Sequence, residues 1–262
     1  MAESVLLERD GGVARIILNR PDVGNAIDIP TARALMEAVI ACDEDPSVRC
    51  VLLTGAGRMF CAGGDVASFA TAGERLPSLL KEITVYVHAA VARLARMDKP
   101  VVTAINGPAA GAGIGLALIG DIALADPRAH FTLAYTGIGL SPDGGTSWLL
   151  PRLIGLRRAQ ELCLRNRRVG AEEAAAIGMI TRVAAEGGLL EDAAQIAQEL
   201  AAAATPALGV TRRLLLDSAT APLETQLDAE SRGIAAMGRT TEGKEGIAAF
   251  LEKRKPDFTK GR

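Results

Sequence analysis

The chain has 262 residues, 49% hydrophobic and 23% charged, enough for one large domain with a full core and unlike the composition of a disordered chain. Its 29 basic and 31 acidic residues leave a formal net charge of -2, so no bulk field draws it to nucleic acid or to an anionic membrane. The 28 glycines point to many tight turns or close backbone approaches.

The first segment, "MAESVLLERDGGVARIILNRP", has acids where a signal peptide has a basic start and an unbroken apolar run, so no export is expected. Residues 13–19, 50–55, 100–107, 121–126 and 179–184 are short apolar runs ending in turn residues, the pattern of buried strands. Between them, 29–45 and 78–97 carry apolar residues at helical spacing, with Pro30 at the start of the first. Strand, helix, strand order predicts an α/β fold with mostly parallel strands. After about residue 187 only helical patterns follow, and such an apolar-striped tail must cover the core or a neighbouring subunit. No stretch is long and apolar enough to span a membrane; "GAGIGLALIGDIALA" is short and broken by Asp121.

Four cysteines, at 42, 50, 61 and 163, have neither CxxC spacing nor disulfide-scaffold density, which suits a reducing cytoplasm. Cys61 reads as a small core residue, since only His88 and His130 exist to activate it. The two isolated histidines make neither a metal site nor a triad, and structural or surface roles are expected of both.

Three segments carry candidate chemistry. In "AAGAGIGLAL", 109–118, glycines at 111, 113 and 115 miss the GxGxxG spacing of a dinucleotide site, and no P-loop lysine follows. A helix N-terminus approached by a ligand and close helix–strand packing both account for them. "RMFCAGGDV", 58–66, offers small residues at another strand end, where two neighbouring loops could aim two backbone N–H groups at one oxygen; Asp65 can cap a helix there as well. In "LSPDGGTSW", 140–148, Asp143 sits in a Pro-Asp-Gly turn, and on those residues alone a turn is the plainer reading.

Taken together, "NRPDVGNAI" (19–27), "FCAGGDV" (60–66), "AINGPAAGAGIGLAL" (104–118), "DIALAD" (121–126), "PDGGTSWLLPRLIG" (142–155) and "GIAAFLEKRKPDF" (246–258) resemble the crotonase, or enoyl-CoA hydratase/isomerase, superfamily, in order over nearly the whole chain. The resemblance implies a ββα spiral acyl-CoA-binding core over 1–200 and a C-terminal helical trimerisation region over 201–262. It also implies an oxyanion hole formed by the amides of Gly64 and Ala112, with Ala112 standing where the family commonly has Gly. Ala62, Gly63, Asp65, Val66 and Gly111 would line the CoA path, with Val23 and Ala26 opposite. Phe250 and Lys253 would touch the CoA of the same or an adjacent subunit. CoA would be part of the substrate; no cofactor, metal, nucleic acid or membrane partner is implied, and a homotrimer or dimer of trimers in the cytoplasm is expected.

The departures bear on the chemistry. Hydratases that this chain resembles carry two glutamates, and at those positions it has Gly115 and Tyr135. Adding water to a conjugated double bond uses both carboxylates, whereas one suffices to move a double bond. Asp143 falls where the isomerases of the superfamily, including 1,2-epoxyphenylacetyl-CoA isomerases, carry their acid, so the expectation is an isomerase with Asp143 as its proton shuttle. Tyr135 would line the acyl pocket or assist a proton transfer, with packing the preferred role, and helices over 78–97 and 205–240 would shape the pocket. A 2-enoyl-CoA hydratase and a non-catalytic acyl-CoA-binding protein on the same fold are the alternatives.

Overall fold

A computed structural model describes residues 3–259. The chain opens on a hairpin of β1 (Val5–Asp10) and β2 (Val13–Leu18), turning at Gly11. Only β2 was expected from sequence. β1 is an edge strand whose exposed half carries Glu8, Arg9 and Asp10, and those charges break the apolar run by which a strand is recognised. α1 (Ile29–Glu44) starts where the Asp28 carboxylate accepts from the Thr31 amide, with Pro30 in its first turn.

β3 (Cys50–Gly55) is buried at all six positions, as befits a strand covered on both faces. α2 (Val66–Ala72) and α3 (Leu76–Arg96) lead to β4 (Val101–Ile105), β5 (Ala109–Ala110), α4 (Ala112–Leu118), β6 (Ile122–Ala125) and β7 (His130–Thr132). α5 (Thr146–Ile154), α6 (Leu156–Arg165), β8 (Val169–Gly170), α7 (Ala171–Ala176) and β9 (Arg182–Val183) follow. The strand expected over 179–184 is therefore only two residues long. The amides of Met179 and Ile180 bond back to the Ala174 carbonyl of α7, so the apolar run closes a helix before any ladder begins.

Two sheets result, one in the order β1-β2-β3-β4-β6-β9 and parallel from β2 onward, the other in the order β5-β7-β8. Each turn of chain lays a strand in the large sheet and then runs a short segment beside its counterpart from the next turn. Ile27 bridges Gly64, Cys61 bridges Ala109, and Ala109–Ala110 pairs with Phe131–Thr132. The expected ββα spiral is thus present, its turns stacked at the spacing of neighbouring strands.

Strand alternation divides the core. Ile16, Val51 and Leu53 pack with Leu35 and Leu94 of α1 and α3, while Cys50, Leu52, Val102 and Leu124 face Ala193, Ala197 and Ala201 of α8 (Leu189–Ala202). Each large apolar side chain fully removed from water contributes about 1.5–3 kcal/mol. Beyond α8 lie α9 (Thr205–Ser218), α10 (Leu223–Met237) and α11 (Thr241–Leu251). Arg212 pins α9 to the spiral, donating from Nε to Asp121 and from Nη2 to the Leu94 carbonyl at 2.8 Å. Leu223, Leu227, Ile234, Ile247 and Phe250 on α10 and α11 remain exposed.

The four cysteines are free thiols. Burial pushes Cys50 and Cys61 up from 9.0 to about 12, so both stay protonated in the fold under conditions where the unfolded chain ionises. A group with a raised folded pKa contributes stability that is lost as pH rises. Tm is therefore expected to hold to about pH 9 and to fall from there toward about pH 11 in calorimetric scans; a constant Tm over that range would contradict it.

Candidate active site

Three loops from successive spiral turns meet over the small sheet. Asn25, held with φ 56°, ties the first of them down: its Nδ2 donates to the carbonyls of Ala56 and Met59, and its Oδ1 accepts from the Arg20 amide. Cys61, fully buried, donates from its thiol to the Asn25 carbonyl. Its Sγ lies inside the packing, as the sequence reading held, and away from any activating imidazole.

Gly63 and Gly111 let the second and third loops touch. Both have positive φ, at 91° and 51°, and a Cβ on Gly63 would come within 2.7 Å of the Ala110 carbonyl. That contact sets the next residues, Gly64 and Ala112, side by side on one cavity wall. Ala112 is the first residue of α4, where an amide has no partner within the helix, and neither its N–H nor that of Gly64 donates to any acceptor among the described residues. Two such donors suit one oxygen that gains negative charge.

The cavity measures about 280 Å³. Besides Gly64 and Ala112, the expected residues Ala62, Val66, Gly111, Tyr135 and Asp143 line it. Val23, Ala26, Gly63, Asp65, Phe250 and Lys253 do not. Val23 is half exposed on the first loop, Ala26 is buried, and Phe250, 82% exposed, projects from α11 with Lys253 just beyond it. The Asp65 carboxylate is engaged elsewhere: it accepts from the Ser68 amide at the start of α2 and pairs with Arg20 at 3.2 Å.

Sequence reasoning assigned the acyl wall only to whole helices. On α3 the cavity is lined by Leu80, Ile83, Thr84 and Val87, an i, i+3, i+4, i+7 stripe, with Phe69 and Ile138 also on its wall. No residue of 205–240 lines this cavity; from that stretch only Leu216 reaches the wall of a neighbouring one. The period of α3 was legible, but which stripe faces the cavity depends on how the spiral seats the helix.

Asp143 is the only carboxylate on the cavity wall among the described residues. Tyr135 Oη donates to its Oδ1 at 2.7 Å. Burial, then the negative charge of Asp143, pushes the phenol above the usual tyrosine range, so it stays protonated and remains a donor. The turn that aims it is strained: Ala134 has φ 62°, a left-handed conformation unfavourable for a residue with a Cβ.

Gly144 and Gly145, at φ 59° and 80°, carry the chain from Asp143 into α5, and the Thr146 amide closes the turn on the Asp143 carbonyl. The expected turn is thus present, and it leaves Asp143 on the cavity wall. A Cβ on Gly115 would lie 2.0 Å from the Gly144 carbonyl oxygen, so the loop bearing Asp143 occupies the space of any side chain there. His130 lies outside the cavity, on β7. His88, by contrast, touches this loop, which its sequence context gave no reason to expect: its Nε2 accepts from the Gly144 amide.

Two unpaired amides facing one carboxylate across an apolar cavity, all set on a ββα spiral, define a crotonase-type enzyme. Residues 8–261 match the enoyl-CoA hydratase/isomerase family model, and the chain belongs to that family. It is 40% identical to the 1,2-epoxyphenylacetyl-CoA isomerase of Escherichia coli (strain K12), over 99% of both chains. It is 35% identical to a probable enoyl-CoA hydratase of Rhodobacter capsulatus, over 98% of both. Among solved structures, one described as a putative enoyl-CoA hydratase/isomerase from Mycobacterium abscessus superposes with a TM-score of 0.93 at 37% identity, covering 98% of this chain and 100% of that one.

Proposed function

We propose that this chain isomerises an enoyl-CoA. Asp143 removes a proton from the carbon next to the thioester and returns it two carbons along, while the Gly64 and Ala112 amides hold the thioester oxygen as an enolate between the two steps. The observation that carries this reading is the lone carboxylate: Asp143 faces the cavity while the Gly144 carbonyl blocks one hydratase position at Gly115 and a phenol fills the other at Tyr135. The tyrosine donates to one carboxylate oxygen and leaves the other for the substrate. CoA enters as part of the substrate, and no further cofactor takes part. The exposed leucines and isoleucines of α10 and α11 suit contact between copies, a homotrimer or dimer of trimers, and the free thiols suit a cytoplasmic setting.

Mixing the protein with a 3-enoyl-CoA and, separately, with a 2-enoyl-CoA tests the reaction through the absorbance of the conjugated thioester. Growth of that absorbance from the 3-enoyl substrate is the expected result. Its loss from the 2-enoyl substrate, with no growth from the other, would make the protein a hydratase, and no change with either would leave an acyl-CoA-binding role.

A further inference from the structure

Asp143 separates two cavities. On one side is the acyl cavity, and on the other a second, of about 440 Å³, bounded by His88, Val91, Ala92, Ala95 and Arg96 of α3 and by Trp148 and Leu149 of α5. The wall between them is the loop Pro142–Gly145, held from three directions. Tyr135 grips the Asp143 carboxylate, Gly115 receives the Gly144 carbonyl, and the Gly144 amide donates to His88 Nε2 at 3.1 Å.

That third contact differs in kind from the others. The amide belongs to the peptide unit directly after the Asp143 Cα, so holding it fixes ψ of Asp143 and with it the direction in which the carboxylate leaves the backbone. An amide can only donate, so Nε2 must offer a lone pair, and the imidazole is neutral with its proton on Nδ1. A protonated His88 has no lone pair and cannot hold the loop.

We infer that His88 is a positioning residue for Asp143, acting through the Gly144 amide, and that the hydrogen bond its Nε2 accepts is required for the loop to present the carboxylate to the substrate. This rests on the proposed role of Asp143 as proton shuttle.

His88→Ala and His88→Gln test the inference, since a Gln amide oxygen can reach the position of Nε2 and does not titrate. His88→Ala is expected to lower kcat on a 3-enoyl-CoA about ten-fold or more with KM nearly unchanged, the size of loss that follows a small misplacement of a reacting group. His88→Gln is expected to restore kcat to within about three-fold with KM unchanged.

Hydrogen exchange at the Gly144 amide reads the contact without substrate. Protection should persist in the wild type and in His88→Gln and be lost in His88→Ala. Wild-type kcat and intact Gly144 protection in His88→Ala would overturn the inference, as would a His88→Gln enzyme as impaired as His88→Ala. A wild type inert toward every enoyl-CoA would instead remove the isomerase reading, and the exchange comparison would still decide the contact.

Discussion

Asp143→Asn is expected to lower kcat for conversion of a 3-enoyl-CoA to its conjugated isomer by about 10²–10⁴-fold, the range that a positioned general base contributes. The substitution is nearly isosteric. The Asn carbonyl oxygen can still accept from Tyr135 Oη, which lies 2.7 Å from Oδ1, and the backbone bonds of the loop remain. KM should therefore stay within about two-fold, because the thioester is held by the Gly64 and Ala112 amides and the acyl group by the α3 stripe. What disappears is the capacity to take a proton from one carbon and return it to another. Stopped-flow absorbance of the conjugated thioester, with binding of a saturated acyl-CoA as control, separates the two parameters. Undiminished kcat in the variant would eliminate Asp143 as the shuttle, and weakened binding with unchanged kcat would reduce it to a wall residue.

Gly115→Glu is expected to abolish isomerisation without creating a hydratase. On a sequence comparison the change looks like restoration of a missing carboxylate. In the structure a Cβ at this position would lie 2.0 Å from the Gly144 carbonyl oxygen and 2.9 Å from its carbon, separations that cannot be sustained, with Thr146 Oγ1 next at 3.4 Å. Backbone must move, and the backbone that moves is the one carrying Asp143. Overpacking of this kind costs about 1–3 kcal/mol, so thermal unfolding should shift down while the protein still folds. Efficient hydration of a 2-enoyl-CoA by the variant, with isomerisation retained, would show that the loop yields without displacing its carboxylate.

The sequence disclosed the site better than its surroundings. The glycines of "CAGGDV" and "AAGAGIG" and the acid of "SPDGG" are informative because backbone geometry at a reacting centre tolerates few side chains, and the structure brings Gly64, Ala112 and Asp143 to one cavity. Strands β3 and β4 were readable as apolar runs because each is buried on both faces, and β2 because Ala14, Ile16 and Leu18 fill one buried face while the other is partly buried. β1 escaped because Glu8, Arg9 and Asp10 in its exposed half cut the apolar run short, and the run at 179–184 misled because Met179 and Ile180 close α7 before any ladder begins. His88 left no local signal at all. Its partner is a backbone amide 56 residues away, and contact with a main-chain atom leaves no mark on the partner's identity.

The placement of the two amide donors has a wider consequence. Gly64 and Ala112 come from consecutive turns of the spiral, locked by the Cys61–Ala109 bridge and the contact of Gly63 with Gly111. Their separation is therefore measured out by the pitch of the sheet, while the acyl wall is set by side chains on a helix laid across it. One half of the site behaves as a fixed gauge and the other as an interchangeable lining. On the proposed reading, substitutions at Leu80, Ile83, Thr84 and Val87 would retune which acyl group fits while the spacing of the two amides stays the same, and a lineage built this way could change its diet without relearning its chemistry.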